Sequence, residues 1–285
     1  VQGCEGDSCR WLSIGPLSFQ TSDLARFSVI IFLASYIDNN YKKMKSFFTG
    51  ILVPLTAILP VALMIVIQPD NSTTMILLAI VYAMLFIGGA SFIQLLTIGT
   101  ISVGAFTIAI LNKGNYALAR ILSFINPASS ENVSYQSSQA LIGLKQGGIS
   151  GMGIGESIQK YSYLPETHTD FIFAIIGEEM GFITGIILMI AYYIIFYRSI
   201  QISKKSNDTF GILLSIGFGL SISIYALINI GVVIGIVPVT GVPLPFISYG
   251  GSSLITNLMM IAILLNISKA QRKINVRKWR LRVDA

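Results

Sequence analysis

The sequence predicts an all-α protein that crosses a membrane several times. Hydrophobic residues make up 53% of its 285 residues and charged residues only 11%, and the mean hydropathy is +0.74. A soluble globular domain carries about a quarter charged residues, so the composition excludes an ordinary soluble fold. The apolar residues lie in runs long enough to span a bilayer, which supports the same prediction.

Seven such apolar segments follow one another along the chain. A spanning helix needs about 20 apolar residues, with roughly 17 as a lower limit. The fifth and sixth segments are long enough to span with tilt, whereas the first, third and last lie at or just below the limit. We therefore expect residues 1–285 to form one integral membrane domain. In chain order the segments are 22–37, 50–67, 73–88, 92–111, 171–197, 209–236 and 252–267.

The positions of the basic residues predict the orientation. Three, three and seven of the 19 Lys and Arg residues lie in 38–49, 198–208 and 268–285. Cytoplasmic loops are enriched in Lys and Arg, so these stretches are expected to be cytoplasmic, and the basic tail 268–285 is expected to be attracted to anionic lipid. Because the net charge of +6 is explained in this way, no nucleic-acid partner is predicted. The stretches 1–20, 68–72, 112–170 and 237–251 are then extracellular, and 112–170 is the one large loop.

That large loop ends in a group of polar and charged residues, within LPETHTDFIFAIIGEEMG at 164–181. Glu166, His168 and Asp170 come directly before an apolar run. A carboxylate that is partly buried at a membrane–water boundary is a candidate general base. The other interpretation of Asp170 is a helix N-cap, which accepts free N–H groups of the first turn.

Two further carboxylates, Glu178 and Glu179, lie inside the apolar run itself. At 1.5 Å per residue they are roughly 12–13 Å along a helix from Asp170. Charges at this depth face the protein interior or water, and adjacent residues point about 100° apart, so the two cannot share one face. We expect at least one to be paired or protonated, with Arg26 as a candidate partner. A structural ion pair and a path for protons or ions both remain open.

Other polar residues interrupt the apolar pattern at the helix ends. Asp23 and Arg26 are three residues apart, which makes them neighbours on a helix. Asp70 follows a proline at a helix break, where it is a candidate cap. The stretch PVTGVPLPFISYGGSSL at 238–254 contains three prolines and three glycines, and irregular backbone near a membrane is tolerated when protein or a cavity covers it. The glycine-rich run at 142–157 contains no P-loop and predicts a turn-rich loop over the membrane surface.

The sequence of the N-terminal region gives little information about the function. Cys4 and Cys9 have no zinc-binding spacing, and a disulfide between them and two separate thiols remain equally open. Residue 1 is already part of a polar loop and no signal peptide precedes it, so we expect the chain to begin within a longer protein.

Four motifs resemble the SEDS family (shape, elongation, division and sporulation), and the resemblance extends over essentially the whole chain. GVPLPFISYGGSS at 241–253 and YLPETHTDFIFAIIGEEMG at 163–181 resemble the two most specific family motifs. YQSSQALIGLKQGGISGMGIGESIQK at 135–160 matches the stretch before the second, and RWLSIGPLSFQTSDLAR at 10–26 resembles the RWI…QPSE..K motif. Family members have ten transmembrane helices, so the seven segments here correspond to the last seven and the first three are expected to be missing.

Two motifs depart from the family pattern. The stretch at 20–26 keeps one acidic and one basic residue, as Asp23 and Arg26, in place of the family's Glu and Lys. The stretch at 68–74 lacks the glycine of the family's QPD.GTA, which bears on the placement of Asp70. GESIQKYSYLPE looks closer to the division and sporulation branch (FtsW, SpoVE), whereas TNLMMIAILLNIS looks more like the elongation branch (RodA).

The resemblance implies a multi-pass enzyme of the bacterial cytoplasmic membrane. The family comprises peptidoglycan glycosyltransferases, which polymerise lipid II outside that membrane. Each works with a class B penicillin-binding protein, and other membrane proteins of the divisome or elongasome are further expected partners. The aspartate of the family's HTD motif is held essential, and in this chain that residue is Asp170, the expected general base.

The same resemblance suggests which residues hold the substrate. Lys160, Lys145 and Arg120 are the positive charges available to counter a diphosphate leaving group, together with a divalent cation such as Mg²⁺ or Mn²⁺. A charged network of structural importance is expected to comprise Asp23, Arg26, Asp70, Glu178 and Glu179. The other candidate substrate-binding residues are Gln159, Glu166, His168, Ser248, Tyr249, Gly250, Gly251 and Ser252.

Two other functional classes remain open on the sequence alone. A lipid II flippase would use Glu178 and Glu179 as a charged path, and translocation would then occur without polymer. A non-catalytic scaffold would recruit the penicillin-binding protein, and Asp170 would then be dispensable. The extracellular placement of Asp170 favours the enzyme.

Overall fold

The computed structural model describes residues 11–14, 17–68, 70–113, 124, 131–162 and 168–283. It is mostly helical, and each of the seven predicted segments contains a helix, so the predicted fold class is confirmed. A 3₁₀ turn at Tyr41–Lys43 and a π-helical turn at Phe48–Leu52 connect the first two helices. The elements in order are β1 Trp11–Ile14, β2 Leu17–Gln20, α1 Thr21–Asn40, α2 Val53–Ile67, α3 Asn71–Ile87, α4 Phe92–Lys113, α5 Glu131–Gly147, α6 Ile158–Ser162, α7 Ile172–Lys205, α8 Thr209–Val233 and α9 Gly251–Val283.

Three features go beyond the sequence prediction. Strands β1 and β2 form an antiparallel hairpin directly before α1, with Trp11 opposite Gln20. Two helices, α5 and α6, lie inside the segment that the sequence predicts as a long loop. Helix α9 continues to Val283, past the apolar segment that ends at residue 267.

Four helices within the described residues are long and apolar enough to cross a membrane. They are Phe48–Ile67, Ile172–Lys205, Thr209–Val233 and Gly251–Ala270, and their mean hydropathy over 18 residues is 1.6 to 2.6. Asn71–Ile87 and Phe92–Gly104 are shorter apolar helices. Inside a bilayer no water is available to the backbone N–H and C=O groups of such a helix. Its own i→i−4 hydrogen bonds pair these groups instead.

The chain divides into two compact units, which are described separately. The first unit consists of Val1–Thr97, Ile194–Ile222 and Gly251–Ala285. The second unit consists of Ile98–Tyr193 and Ser223–Gly250. The predicted general base, Asp170, belongs to the second unit.

The core of the first unit is built around α1. Ile30, Leu33 and Ile37 on this helix are fully buried. Gly217 of α8 faces them, since a Cβ there would lie 2.8 Å from Ile30 Cγ2 and 3.0 Å from the Met84 side chain. Small residues at such positions allow helices to approach closely, which is how helices associate in a bilayer.

A buried ion pair in the first unit confirms that Asp23 and Arg26 are neighbours. Arg26 Nη2 lies 3.3 Å from Asp23 Oδ1, and the two side chains are 0% and 4% exposed. Arg26 Nη2 also donates to Asn257 Oδ1 at 3.4 Å, and Ser252 Oγ donates to Asp23 Oδ2 at 3.4 Å. The pair therefore connects the start of α1 to the start of α9.

Asp70 caps helix α3, as one of its two interpretations predicts. Its Oδ1 accepts a hydrogen bond from Thr73 N at 3.2 Å, and its carbonyl oxygen accepts one from Thr74 Oγ1 at 3.0 Å. The absence of the family's glycine after Asp70 therefore does not prevent the cap from forming.

We expect Asp23→Ala to lower the stability of the protein strongly. Removing one partner of a buried ion pair leaves the other charge buried and costs about 3–5 kcal/mol. Thermal unfolding in detergent measures this effect. Asp38→Ala is the matched control, because Asp38 lies on the same helix and is exposed. Equal melting temperatures for the two variants would contradict the prediction.

Candidate functional site

The turn that carries Asp170 is held through three consecutive backbone carbonyls. His168 O accepts a hydrogen bond from Tyr249 N at 2.8 Å. Thr169 O accepts one from Ser248 Oγ at 2.5 Å, and Asp170 O accepts one from Asn229 Nδ2 at 2.8 Å. All three donors are 59 or more residues away in sequence and belong to α8 or the stretch that follows it. The position of the turn is therefore set by tertiary contacts.

The stretch between α8 and α9 is itself a defined turn rather than a loose loop. Ser248 N donates to Leu244 O at 3.0 Å, and Ser248 Oγ accepts from Leu244 N at 2.8 Å. Tyr192 Oη donates to Pro245 O at 2.6 Å. Prolines fix their own φ angles, so this segment provides a rigid support for the turn at residues 168–170.

The carboxylate of Asp170 lies beside Gly241. A Cβ built at Gly241 would be 3.4 Å from Asp170 Oδ2, and Gly241 has a φ of +72°. A side chain at this position would be strained and would crowd the carboxylate. Helix α7 begins at Ile172, so Phe171 rather than Asp170 directly precedes the first helical residue, and Phe171 O accepts from Ala174 N at 2.9 Å.

Helix α7 is broken at Gly181, which the sequence analysis did not predict. Gly181 has φ 79° and ψ 178°, far from helical values. A Cβ at Gly185 would lie 3.3 Å from the Phe173 ring, although 12 residues of straight helix would separate them by about 18 Å. The two halves of α7 therefore bend towards each other, a feature that the hydropathy of 171–197 does not indicate.

The glycine-rich run packs into this break. Met152 N donates to Glu178 O and Gly153 N donates to Glu179 O, both at 3.0 Å. Phe182 N donates to Gly148 O at 3.0 Å. A helix end leaves its last carbonyls and its first N–H groups without intrahelical partners, and the run supplies both. The part of the run at 148–155 contains turns, as predicted, and it is in addition a structural partner of α7.

Glu178 has a structural role within the second unit. Its side chain is fully buried, its Oε2 accepts from Ser157 Oγ at 2.5 Å, and its Oε1 accepts from Ile158 N at 3.1 Å. Ile158 is the first residue of α6, where a negative charge is favourable. Glu178 therefore fixes the start of the short helix that carries Gln159 and Lys160.

The predicted partners of Glu179 and Arg26 in the charged network are a separate question. Glu179 is half-buried, and its Oε1 is buried without a hydrogen-bond partner among the described residues. Arg26 donates hydrogen bonds to Asp23 and Asn257 of its own unit. Its pairing with Glu178 or Glu179 stays a prediction.

An apolar cavity of about 350 Å³ lies in the second unit, between the two halves of α7. Lys145 of α5 is the one charged residue in its lining, which also includes three glycines of α7. Its shape and chemistry suit an apolar chain with a negatively charged group near Lys145. The lining consists of Leu144, Lys145, Phe173, Gly177, Gly181, Phe182, Gly185, Met189, Ile230 and Ile234.

The remaining candidate substrate-binding residues differ in accessibility. Lys160 and His168 are exposed, and the side chain of Tyr249 is 83% exposed. Gln159 is 3% exposed, and its Oε1 lacks a partner among the described residues. Gly250 is half-buried.

Some predicted residues lie elsewhere. Gly251 and Ser252 begin α9 and belong to the first unit, where Ser252 contacts Asp23. Arg120, Glu166, Cys4 and Cys9 lie outside the described residues. Within the described part of the chain, no three His, Cys, Asp or Glu side chains come together as metal ligands. The divalent cation therefore stays a prediction.

Sequence reasoning missed Asn229, Tyr192 and Ser157. Asn229 is the one amide in the apolar run ALINIGVV at 226–233. A buried amide in such a run nearly always has hydrogen-bond partners, so its presence was a usable signal. The sequence does not identify those partners, because Asp170 lies 59 residues away in sequence.

Comparison with known proteins gives one family. Residues 3–273 match the family described as "Cell cycle protein", which groups FtsW, RodA and SpoVE. Stage V sporulation protein E of Bacillus subtilis (strain 168) is 38% identical over 263 residues, which are 92% of this chain and 72% of that protein. Probable peptidoglycan glycosyltransferase FtsW of Halothiobacillus neapolitanus is 39% identical over 262 residues, which are 90% of this chain and 63% of that protein.

Solved structures share the fold. A chain of a peptidoglycan synthase complex, described as coordinating polymerization and crosslinking, is 26% identical with a TM-score of 0.71. The match covers 95% of this chain and 76% of that one. The rod shape determining protein RodA of Thermus thermophilus is 25% identical with a TM-score of 0.64, over 95% of this chain and 73% of RodA.

Proposed function

Because the chain belongs to the family of FtsW, RodA and SpoVE, we propose that it is a peptidoglycan glycosyltransferase of the bacterial cytoplasmic membrane. Its substrate is lipid II, which it polymerises into glycan strands for division, sporulation or cell shape. The observation that carries the proposal is the Asp170 turn. Its three carbonyls are bonded to α8 and the segment after it, so the carboxylate has a fixed position beside Gly241.

In the proposed mechanism Asp170 is the general base. It accepts the proton of the sugar C4 hydroxyl while that oxygen forms a bond to the anomeric carbon of a second lipid II. The bond from this carbon to the lipid diphosphate breaks, the diphosphate leaves with the electron pair, and the configuration inverts. Diphosphate is a good leaving group without protonation, so one carboxylate suffices, whereas glycoside hydrolysis normally needs two. A positioned base contributes about 10²–10⁴-fold to the rate.

Two lysines of the second unit are available for the negative charge of the diphosphate. Lys145 lies at the apolar cavity, and Lys160 is exposed at the start of α6, on a backbone that Ser157 and Glu178 hold. A charge-assisted hydrogen bond from an ammonium to a phosphate oxygen is about twice as strong as a neutral one. The apolar cavity beside Lys145 would receive part of the lipid chain.

The proposed partner is a class B penicillin-binding protein. The match to a peptidoglycan synthase complex supports this choice. Several large apolar side chains of the extracellular segment are also exposed, which marks candidate protein contacts. They are Tyr135, Leu141, Ile142, Ile149, Met152, Ile154 and Ile158.

The contacts of Glu178 argue against lipid transport through a charged path. Both of its oxygens accept hydrogen bonds, from Ser157 and Ile158, so this carboxylate is occupied in holding α6. A path through the protein would need it to exchange protons or charged groups.

Labelled lipid II in proteoliposomes tests the proposal directly. We expect the full-length protein with its class B penicillin-binding protein to give glycan ladders, and Glu179→Gln to give ladders close to those of the wild type. Glu178→Ala is expected to reduce polymerisation because α6 loses its cap, whereas Glu178→Gln keeps an acceptor oxygen and loses less. Lipid II that crosses the bilayer without polymer, and stops crossing in Glu179→Gln, would contradict the enzyme and favour the transporter.

A further inference from the structure

We propose that Asn229 of α8 is a positioning residue for the general base. The inference rests on the proposed function, since it concerns the same carboxylate. Asn229 does not contact the reacting atoms in this scheme. It fixes the backbone at Asp170 relative to the segment between α8 and α9, and so determines where the carboxylate lies.

The amide of Asn229 uses both of its hydrogens in this role. Its Nδ2 donates to Asp170 O at 2.8 Å and to Val242 O at 2.7 Å. The side chain is 1% exposed, so water does not compete for these bonds. An asparagine Nδ2 carries two hydrogens, whereas the isosteric aspartate has no donor at this position.

The two carbonyls that accept hydrogen bonds from Asn229 belong to the base and to the backbone beside it. One belongs to Asp170 itself. The other belongs to Val242, which directly follows Gly241, and a Cβ at Gly241 would be 3.4 Å from Asp170 Oδ2. One side chain therefore sets the distance between the carboxylate and the backbone beside it.

Such a contact affects the rate more than the affinity for substrate. A displacement of about 1 Å at a catalytic group can cost about 10²-fold in rate. The lysines proposed to bind the diphosphate lie on other elements, α5 and α6, so Asn229 does not hold them in place. The inference therefore predicts that substitution of Asn229 lowers kcat and leaves KM unchanged.

Asn229→Asp is the primary variant, because it keeps the shape and removes both donors. Its carboxylate would also repel the two carbonyls. Asn229→Gln is the second variant: it keeps both amide hydrogens on a side chain one methylene longer. Ser221→Ala is the control on the same helix, because Ser221 is buried and its hydroxyl has no hydrogen-bond partner among the described residues.

The experiment measures polymerisation kinetics, lipid II binding and thermal unfolding of the full-length protein with its penicillin-binding protein. We expect Asn229→Asp to lower kcat by about 10²-fold with KM and binding unchanged, and Asn229→Gln to lose less activity at a comparable melting temperature. Ser221→Ala is expected to match the wild type. Combined with Asp170→Asn, Asn229→Asp is expected to add little further loss, because residues that act as a unit are not additive.

Other outcomes would overturn the inference. Asn229→Asp with the kinetics of Ser221→Ala, a loss of lipid II binding equal to the loss of rate, or full additivity with Asp170→Asn would each do so. Equal activity of the Asp and Gln variants at matched stability would do the same. Failure of the proposed function looks different: the wild type would then make no polymer, or Asp170→Asn would be fully active.

Discussion

Asp170→Asn is expected to reduce polymerisation of lipid II strongly while leaving the protein folded. The asparagine cannot accept the proton of the attacking hydroxyl, so the rate should fall by about 10²–10⁴-fold. The fold is expected to persist because the bonds to residues 168–170 use backbone carbonyls, which the substitution does not change. Glycan ladders from labelled lipid II, measured beside the melting temperature, test both parts.

Two further variants make this result specific. Asp170→Glu keeps a carboxylate but places it one methylene further out beside Gly241, so partial activity is expected. Asp38→Asn is the control for removal of one acidic residue, because Asp38 is exposed and lies in the predicted cytoplasmic region. Ladders of normal intensity from a folded Asp170→Asn protein would remove Asp170 from the chemistry and favour the scaffold.

Gly151→Ala is expected to cause a large loss of stability in the second unit. A Cβ at this position would lie 2.2 Å from Glu179 O and 2.6 Å from Glu179 C, and neither backbone atom can move alone. The glycine-rich run would have to withdraw from the break in α7 and lose the bonds from Met152 and Gly153. Overpacking costs typically 1–3 kcal/mol, in addition to about 1–2 kcal/mol for a left-handed alanine.

Gly155→Ala separates these two causes. Gly155 has a φ of +89°, close to the +83° of Gly151, but a Cβ there would meet no atom of the described residues within 4 Å. Gly155→Ala should therefore lose only the part of the stability that the positive φ angle costs an alanine. Thermal unfolding of the two variants in detergent measures the difference, and equal melting temperatures would show that the run does not pack tightly against α7.

The break in α7 connects stability to the candidate site. Both halves of the helix reach the segment between α8 and α9: the turn before the first half bonds Ser248 and Tyr249, and Tyr192 of the second half bonds Pro245 O. A change that straightened α7 would separate these two contacts. We therefore expect Gly151→Ala to lose polymerisation together with stability, unlike Asp170→Asn.

Seven helices and several local contacts follow from the sequence alone. Hydropathy is a property of each segment, so the seven apolar runs located seven helices without knowledge of their neighbours, whereas α5 and α6 lie inside the segment predicted as a loop. The Asp23–Arg26 pair and the Asp70 cap join residues three or four positions apart, and helix geometry brings such residues together. The family motifs likewise pointed to Asp170 as the candidate base.

The way that base is held depends on tertiary contacts that local sequence does not encode. Gly181 breaks α7 because the glycine-rich run, some 30 residues earlier in the chain, supplies hydrogen bonds to the carbonyls of Glu178 and Glu179. Glu178 is buried because its partners, Ser157 and Ile158, are 20 or more residues away. Asn229 reaches Asp170 across 59 residues. No local propensity encodes these contacts, since each donor and acceptor obtains its partner only when separate helices pack together.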